Sequence, residues 1–136
     1  MDVHELGIQQ THELLLSRKI SSEELTGAYL ARIQQLDPQI KSYVTVSEEL
    51  ARKQARDADQ VLKTGEGVTP LTGIPYSAKD SLSTRSVRTT CSSKILENYK
   101  PFYDCTVIQK LNSAGSVLLG KTNMDEFGMG SSTENS

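Results

Sequence analysis

The segment that most limits the fold runs from 104 to 120. Val107, Ile108 and Leu111 recur at helical spacing, Gly115 stops the pattern, and Ser116-Val117-Leu118-Leu119-Gly120 follows at once. A compact apolar run of this length reads as a buried strand. A capped helix, a glycine and then a β-branched apolar strand is the signature of an α/β chain. Asp104 stands where an N-cap belongs, which predicts a helix over 105–114.

A second extended run precedes it. Leu71-Thr72-Gly73-Ile74-Pro75 is a punctuated loop, and Ile74, Tyr76 and Ala78 then alternate with Pro75, Ser77 and Lys79. Between the two runs, 83–90 shows no clear period and reads as loop with some extended structure. Ser92 or Ser93 is placed to cap a turn through Lys94-Ile95-Leu96.

The first 65 residues read as mainly helical. A passable amphipathic helix is predicted over 3–17. Ser21 and Glu24 form a capping box, and Leu25, Tyr29, Leu30, Ile33 and Leu36 repeat behind it until Asp37-Pro38 ends the pattern. Ile40 to Val46 reads as a strand. Ser47 then caps a third helix, with Glu48 and Glu49 in its first turn and Gly65 at its end. Residues 65–70 read as the most flexible linker. Thr122 or Asn123 opens a last helical turn through Phe127. The tail from Gly128 to Ser136 has no hydrophobic period, which suits either a disordered end or a ligand loop where glycines let backbone approach closely.

At 136 residues the chain is the size of one domain and can bury a core. The formal net charge of -2 gives no basic nucleic-acid surface. No apolar run approaches the ~20 residues of a membrane helix, and Met1-Asp2-Val3-His4-Glu5 predicts no signal peptide. Cys91 and Cys105, with no histidine cluster beside them, predict structural thiols in a reducing cytoplasm and no metal site.

Lys79 ends the second extended run. A lysine buried at a strand end loses hydration, which favours the neutral amine and makes it a candidate base. A strand-terminal lysine is also what an ordinary surface position looks like, and the residues alone leave both readings open.

Several strings resemble the amidase signature family. They are Leu71-Thr72-Gly73-Ile74-Pro75 with Ala78-Lys79-Asp80, and Thr89-Thr90-Cys91-Ser92-Ser93-Lys94. Beyond these lie Leu119-Gly120-Lys121-Thr122-Asn123-Met124-Asp125-Glu126-Phe127 and Met129-Gly130-Ser131-Ser132-Thr133-Glu134-Asn135-Ser136. The last two are long and ungapped. They resemble one branch of the family, the A subunits of glutamyl-tRNA(Gln)/aspartyl-tRNA(Asn) amidotransferases. The likeness covers nearly all of this chain and the first quarter to third of such a subunit.

The resemblance implies an α/β fold, a mixed sheet flanked by helices, of which 1–136 is an incomplete N-terminal portion with its lysine motif in 71–136. It implies serine-hydrolase chemistry in which a lysine, through a bridging serine, takes the proton of a nucleophilic serine that attacks an amide. Lys79 matches that lysine, in a role that asks for burial. Gly130, Ser131 and Ser132 match a loop that lines the substrate pocket. Ser81 stands where the family often has asparagine. The Gly/Ser-rich stretch that carries the two serines is absent from the 136 residues, so this chain alone is expected to be inactive.

The resemblance further implies glutamine as substrate, with its ammonia passed on for ATP- and Mg-dependent amidation of misacylated tRNA. Subunits B and C are the implied partners, the tRNA being met through a partner and no cofactor being held by this chain. A partial sheet with exposed edges is expected to self-associate. A small-amide amidase and a non-catalytic interaction module of amphipathic helices are the competing readings.

Overall fold

The computed structural model describes residues 3–136, so Met1 and Asp2 and the leader reading that falls on them lie outside it. Among the described residues the order is α1 (Ile8–Leu16), α2 (Ser22–Ile40), β1 (Tyr43–Val46), α3 (Glu48–Thr64), β2 (Pro75–Lys79), α4 (Thr106–Ser113) and β3 (Val117–Thr122). Short 3-10 turns occur at Val3–Glu5, Lys94–Leu96 and Glu126–Gly128. No helix among them is long and apolar enough to cross a membrane.

The apolar run becomes the central strand. The sheet order is β1-β3-β2, with β3 antiparallel to β1 and parallel to β2. Val117 and Leu119 pack against Leu30 of α2 and Ala51 and Ala55 of α3. Leu118 turns to the other face, against Ala78, Val87 and Ile108 of α4. Helices thus lie on both sides of a mixed sheet, as the family resemblance implies. Leu15, Leu25 and Ile74 form a third cluster that ties α1 to α2 and the start of β2.

An irregularity in β3 decides which side chains go inside. Tyr76 stands opposite Leu118, but the next residue, Ser77, stands opposite Gly120. One extra residue on one strand reverses the alternation beyond it. Lys121 therefore does not follow Val117 and Leu119 toward α2 and α3. It pairs with Ala78 and is fully buried on the α4 side. The backbone groups at the bulge are satisfied: Ser47 N donates to Leu119 O at 2.8 Å, and Leu118 N donates to Gln54 Oε1 at 2.8 Å.

The expected capping box forms, with Glu24 N donating to Ser21 Oγ at 3.0 Å and Ser21 N to Glu24 Oε2 at 2.9 Å. Other boundaries move. The helix expected over 3–17 is broken before Gly7, which caps α1 while its N–H donates to Gln10 Oε1. Pro38 does not end α2. It lies in the last turn, where little of the hydrogen-bond ladder remains to be lost, and the helix closes on Lys41 in the left-handed region at φ 58. The Asp37 carboxylate then accepts from Ser42 N at 2.7 Å, so the strand expected from Ile40 begins at Tyr43.

Ser47 precedes α3 without capping it, although Gly65 ends that helix at φ 75. Asp104 does not cap α4 either. Its carboxylate accepts from Arg85 N at 2.6 Å and Asn112 Nδ2 at 3.3 Å, leaving Cys105 at the N-cap. The end of the linker 65–70 is pinned, because Thr69 Oγ1 donates to Ala114 O at 2.6 Å. Ser93 caps the Lys94–Leu96 turn as expected. The helical turn expected from Thr122 is replaced by the last residues of β3 and the short turn at Glu126–Gly128.

The Tyr76 hydroxyl is buried without a hydrogen-bond partner. Burial, with smaller pushes from Asp104 and Cys105, raises its pKa from 10.0 to about 12. Between pH 10 and 12 the unfolded chain gives up this proton and the folded chain keeps it. Stability therefore falls as pH rises through that window. Tyr76→Phe should flatten that part of the denaturation profile, measured as urea midpoints from pH 9 to 12. An unchanged slope in the variant would contradict the assignment.

Candidate active site

Lys79 stands at the carboxyl end of β2, beside Thr122 at the carboxyl end of the parallel strand β3. Thr122 in turn pairs with Tyr43 of β1. One row across the sheet therefore reads Tyr43, Thr122, Lys79. Two residues back, Ser77 lies opposite Gly120. The Tyr43 hydroxyl reaches across this position and hydrogen-bonds Ser77 Oγ. Only glycine permits that crossing, because a Cβ on Gly120 would lie 2.3 Å from Thr45 O and 3.0 Å from Tyr43 Cδ1. Lys79 thus shares its face of the sheet with three hydroxyl side chains. The carboxyl ends of parallel strands are where α/β sheets take ligands.

Lys79 is exposed in this chain, so the burial that its role asks for is not supplied by these residues. Alternation sends it to the open end of one face and sends Asp80 inward, fully buried. The buried lysine is Lys121. Its Nζ donates to Leu82 O at 2.6 Å and to Thr89 Oγ1 at 2.8 Å, and lies 4.0 Å from Asp80 Oδ1. Desolvation lowers the Lys121 pKa below its usual 10.5, and Asp80 opposes that shift. With the folded pKa depressed, the unfolded chain holds more protons, and Lys121 makes stability rise with pH in the window below 10.5.

Asp80 Oδ2 accepts from Thr90 Oγ1, from Thr90 N at 3.1 Å and from Ser92 N at 3.3 Å. These bonds hold Cys91 and Ser92 in the left-handed region, at φ 50 and 53, where residues other than glycine are strained. The Cys91 thiol is pushed up in pKa by burial and then by Asp80. Ser92 Oγ donates to Asn123 Oδ1 at 2.9 Å and accepts from Met124 N at 3.2 Å. The loop after β2 is thereby laced to the segment after β3.

That segment carries Gly130, Ser131 and Ser132, all exposed. The tail is folded around one carboxylate rather than left as an unstructured end. Asp125, buried, accepts from Thr133 N and Asn135 N, each at 3.1 Å, and Glu126 N donates to Asn135 O at 2.9 Å. Gly130 is needed here, since a Cβ would fall 2.4 Å from Asp125 Cγ. Lys79 and the 130–132 segment thus leave the same edge of the sheet from neighbouring strands. Sequence reasoning gave Lys121, Tyr43, Ser77 and Thr122 no role. A lysine directly after an apolar run was the available signal for the first, whereas the other three emerge only from the register.

The mixed sheet flanked by helices, with the lysine at the carboxyl end of β2, defines an α/β protein of mixed-sheet type. Residues 24–136 match the Amidase family, and the chain belongs to it. Among its relatives, the A subunit of glutamyl-tRNA(Gln) amidotransferase from Dehalococcoides mccartyi strain CBDB1 is 58% identical over 99% of this chain and 28% of its own. The namesake of Caldanaerobacter subterraneus subsp. tengcongensis is 50% identical over the whole chain, again 28% of its own. The chain therefore spans little more than a quarter of the length of these curated relatives. Among solved structures, the corresponding glutamyl-tRNA(Gln) amidotransferase protein of Thermotoga maritima matches all of this chain and 26% of its own at 38% identity and TM-score 0.74. A peptide amidase complexed with chymostatin matches 93% of this chain and 26% of its own at 30% identity and TM-score 0.88.

Proposed function

We propose that this chain is the lysine-bearing part of the glutamine-hydrolysing subunit of an aminoacyl-tRNA amidotransferase. The observation that carries the reading is the 58% identity, across 99% of the chain, to a protein of that name. In this reading Lys79 takes the proton of a serine nucleophile through a bridging serine, and the 130–132 segment lines the pocket for glutamine. Further chain beyond the 136 residues supplies both serines and covers Lys79. The exposed apolar side chains Ile95, Phe102 and Met129 support such a cover, being 84%, 79% and 79% accessible. The whole enzyme works in the cytoplasm with subunits B and C. ATP and Mg serve the amidation of tRNA-bound glutamate or aspartate on a partner, consistent with the formal net charge of -2 here.

The test is glutamine hydrolysis by the full-length protein carrying this sequence, assembled with its partners. Lys79→Ala should lower kcat by about a thousandfold or more, as loss of an essential base does. A serine-directed fluorophosphonate probe should label the full-length protein and not the 136-residue chain. Labelling of the short chain, or full activity in Lys79→Ala, would refute the reading. Hydrolysis of free small amides, favoured by the structural likeness to the peptide amidase, predicts instead turnover without partners.

The 136-residue chain by itself is expected to self-associate. Among the described residues the outer edge of β2 has no strand beside it, whereas β1 is blunted by Arg88, which donates to Val44 O and Thr45 Oγ1. Analytical ultracentrifugation should show a dimer or larger species, and a compact monomer would contradict this.

A further inference from the structure

We propose that Lys121 is a positioning residue of this site, locking the strand end that bears Lys79 to the segment leading into residues 130–132. The inference rests on the reading of Lys79 as the base and goes beyond it, because Lys121 lies on the opposite face of the sheet. Three observations carry it.

First, Lys121 and Asp80 are both fully buried, and each immediately borders a member of the Thr122–Lys79 pair. A buried charge of this kind is retained only against a desolvation penalty. Second, the Lys121 ammonium donates to the Leu82 carbonyl and the Thr89 hydroxyl, so it holds both ends of the loop that follows Lys79. Third, Asp80 passes the constraint on: it fixes Thr90 and Ser92, and Ser92 holds Asn123 and Met124. The network is a continuous polar brace from beneath Lys79 to the root of the tail loop. It places a positive charge under the strand end without exposing it to the reacting face.

The experiment compares Lys79→Ala, Lys121→Met, Lys121→Arg and the double variant Lys121→Met/Asp80→Asn in the full-length protein assembled with its partners. It reads kcat and KM for glutamine against pH, and hydrogen exchange at the Ser92 and Met124 amides. Lys121→Met should lower kcat about a hundredfold, the scale of a misplaced catalytic group. The acidic limb of the kcat profile should move to higher pH, because a positive charge has left the surroundings of Lys79. Ser92 and Met124 should exchange faster together, and Lys121→Arg should recover part of kcat.

The double variant removes both buried charges and keeps the test alive if the single one unfolds. A folded Lys121→Met or double variant with the wild-type pH profile and wild-type exchange would overturn the proposal. Unfolding of both would overturn it too, since Lys121 would then be a requirement of the fold. If Lys79→Ala itself keeps full kcat, it is the base reading that fails.

Discussion

Gly120→Ala is expected to disrupt the sheet. The added methyl carbon would sit 2.3 Å from the Thr45 carbonyl oxygen, and the obstructing atom is backbone that cannot rotate away. Relief requires β1 to separate from β3, which breaks the ladder and displaces the Tyr43 hydroxyl from Ser77. Overpacking that side chains can absorb costs about 1–3 kcal/mol, so a backbone clash in the central strand should cost at least about 3 kcal/mol. Thermal unfolding followed by circular dichroism should show a melting point lower by more than about 10 °C. A variant that melts within a few degrees of the parent would mean that the register across Gly120 is wrong.

Asp80→Ala should be comparably severe for an electrostatic reason. The substitution removes the acceptor of Thr90 N, Thr90 Oγ1 and Ser92 N, and strips the buried Lys121 of its counter-charge. Breaking a buried pair by deleting one partner costs about 3–5 kcal/mol. The pH dependence should change as well. Asp80 opposes the depression of the Lys121 pKa, so without it the folded-state value drops further. Stability of the variant should then rise more steeply with pH below 10.5 than that of the parent. Asp80→Asn keeps an acceptor for the loop amides and should fall between the two. Urea titrations across pH would settle the ordering, and a loss below about 1 kcal/mol for Asp80→Ala would count against the network.

The central strand, the capping box at Ser21 and the helix ending at Gly65 were legible because each is set by local chemistry. The apolar run at 116–120 has no surface on which to lie, and Ser21 finds Glu24 one turn away. What escaped was set by distant partners. Asp104 has the right residue type for a cap, yet Arg85 N claims its carboxylate from across the fold. Pro38 looked like a stop because proline restricts its predecessor, but Asp37 had the Ser42 and Tyr43 amides to hold and the helix ran on. For the candidate site, the lysine motif and the tail string could be read from the sequence. The inward turn of Lys121 could not, since it depends on a single extra residue in β3 and a period count cannot see a bulge.

Among the described residues, the strand at the centre of the three-stranded sheet follows both of its neighbours in the sequence. β1 and β2 both pair with β3 and not with each other. A nascent chain emerging amino end first therefore carries two strands with no mate until residues 117–122 have been made. Helices α1 to α3 can dock locally before then, but the three described strands join in one long-range event in which β3 enters between β1 and β2. Until β3 appears these two strands are open to aggregation and proteolysis, and among the described residues a chain cut short of Val117 would keep α1 to α4 and lose the strand with which β1 and β2 both pair.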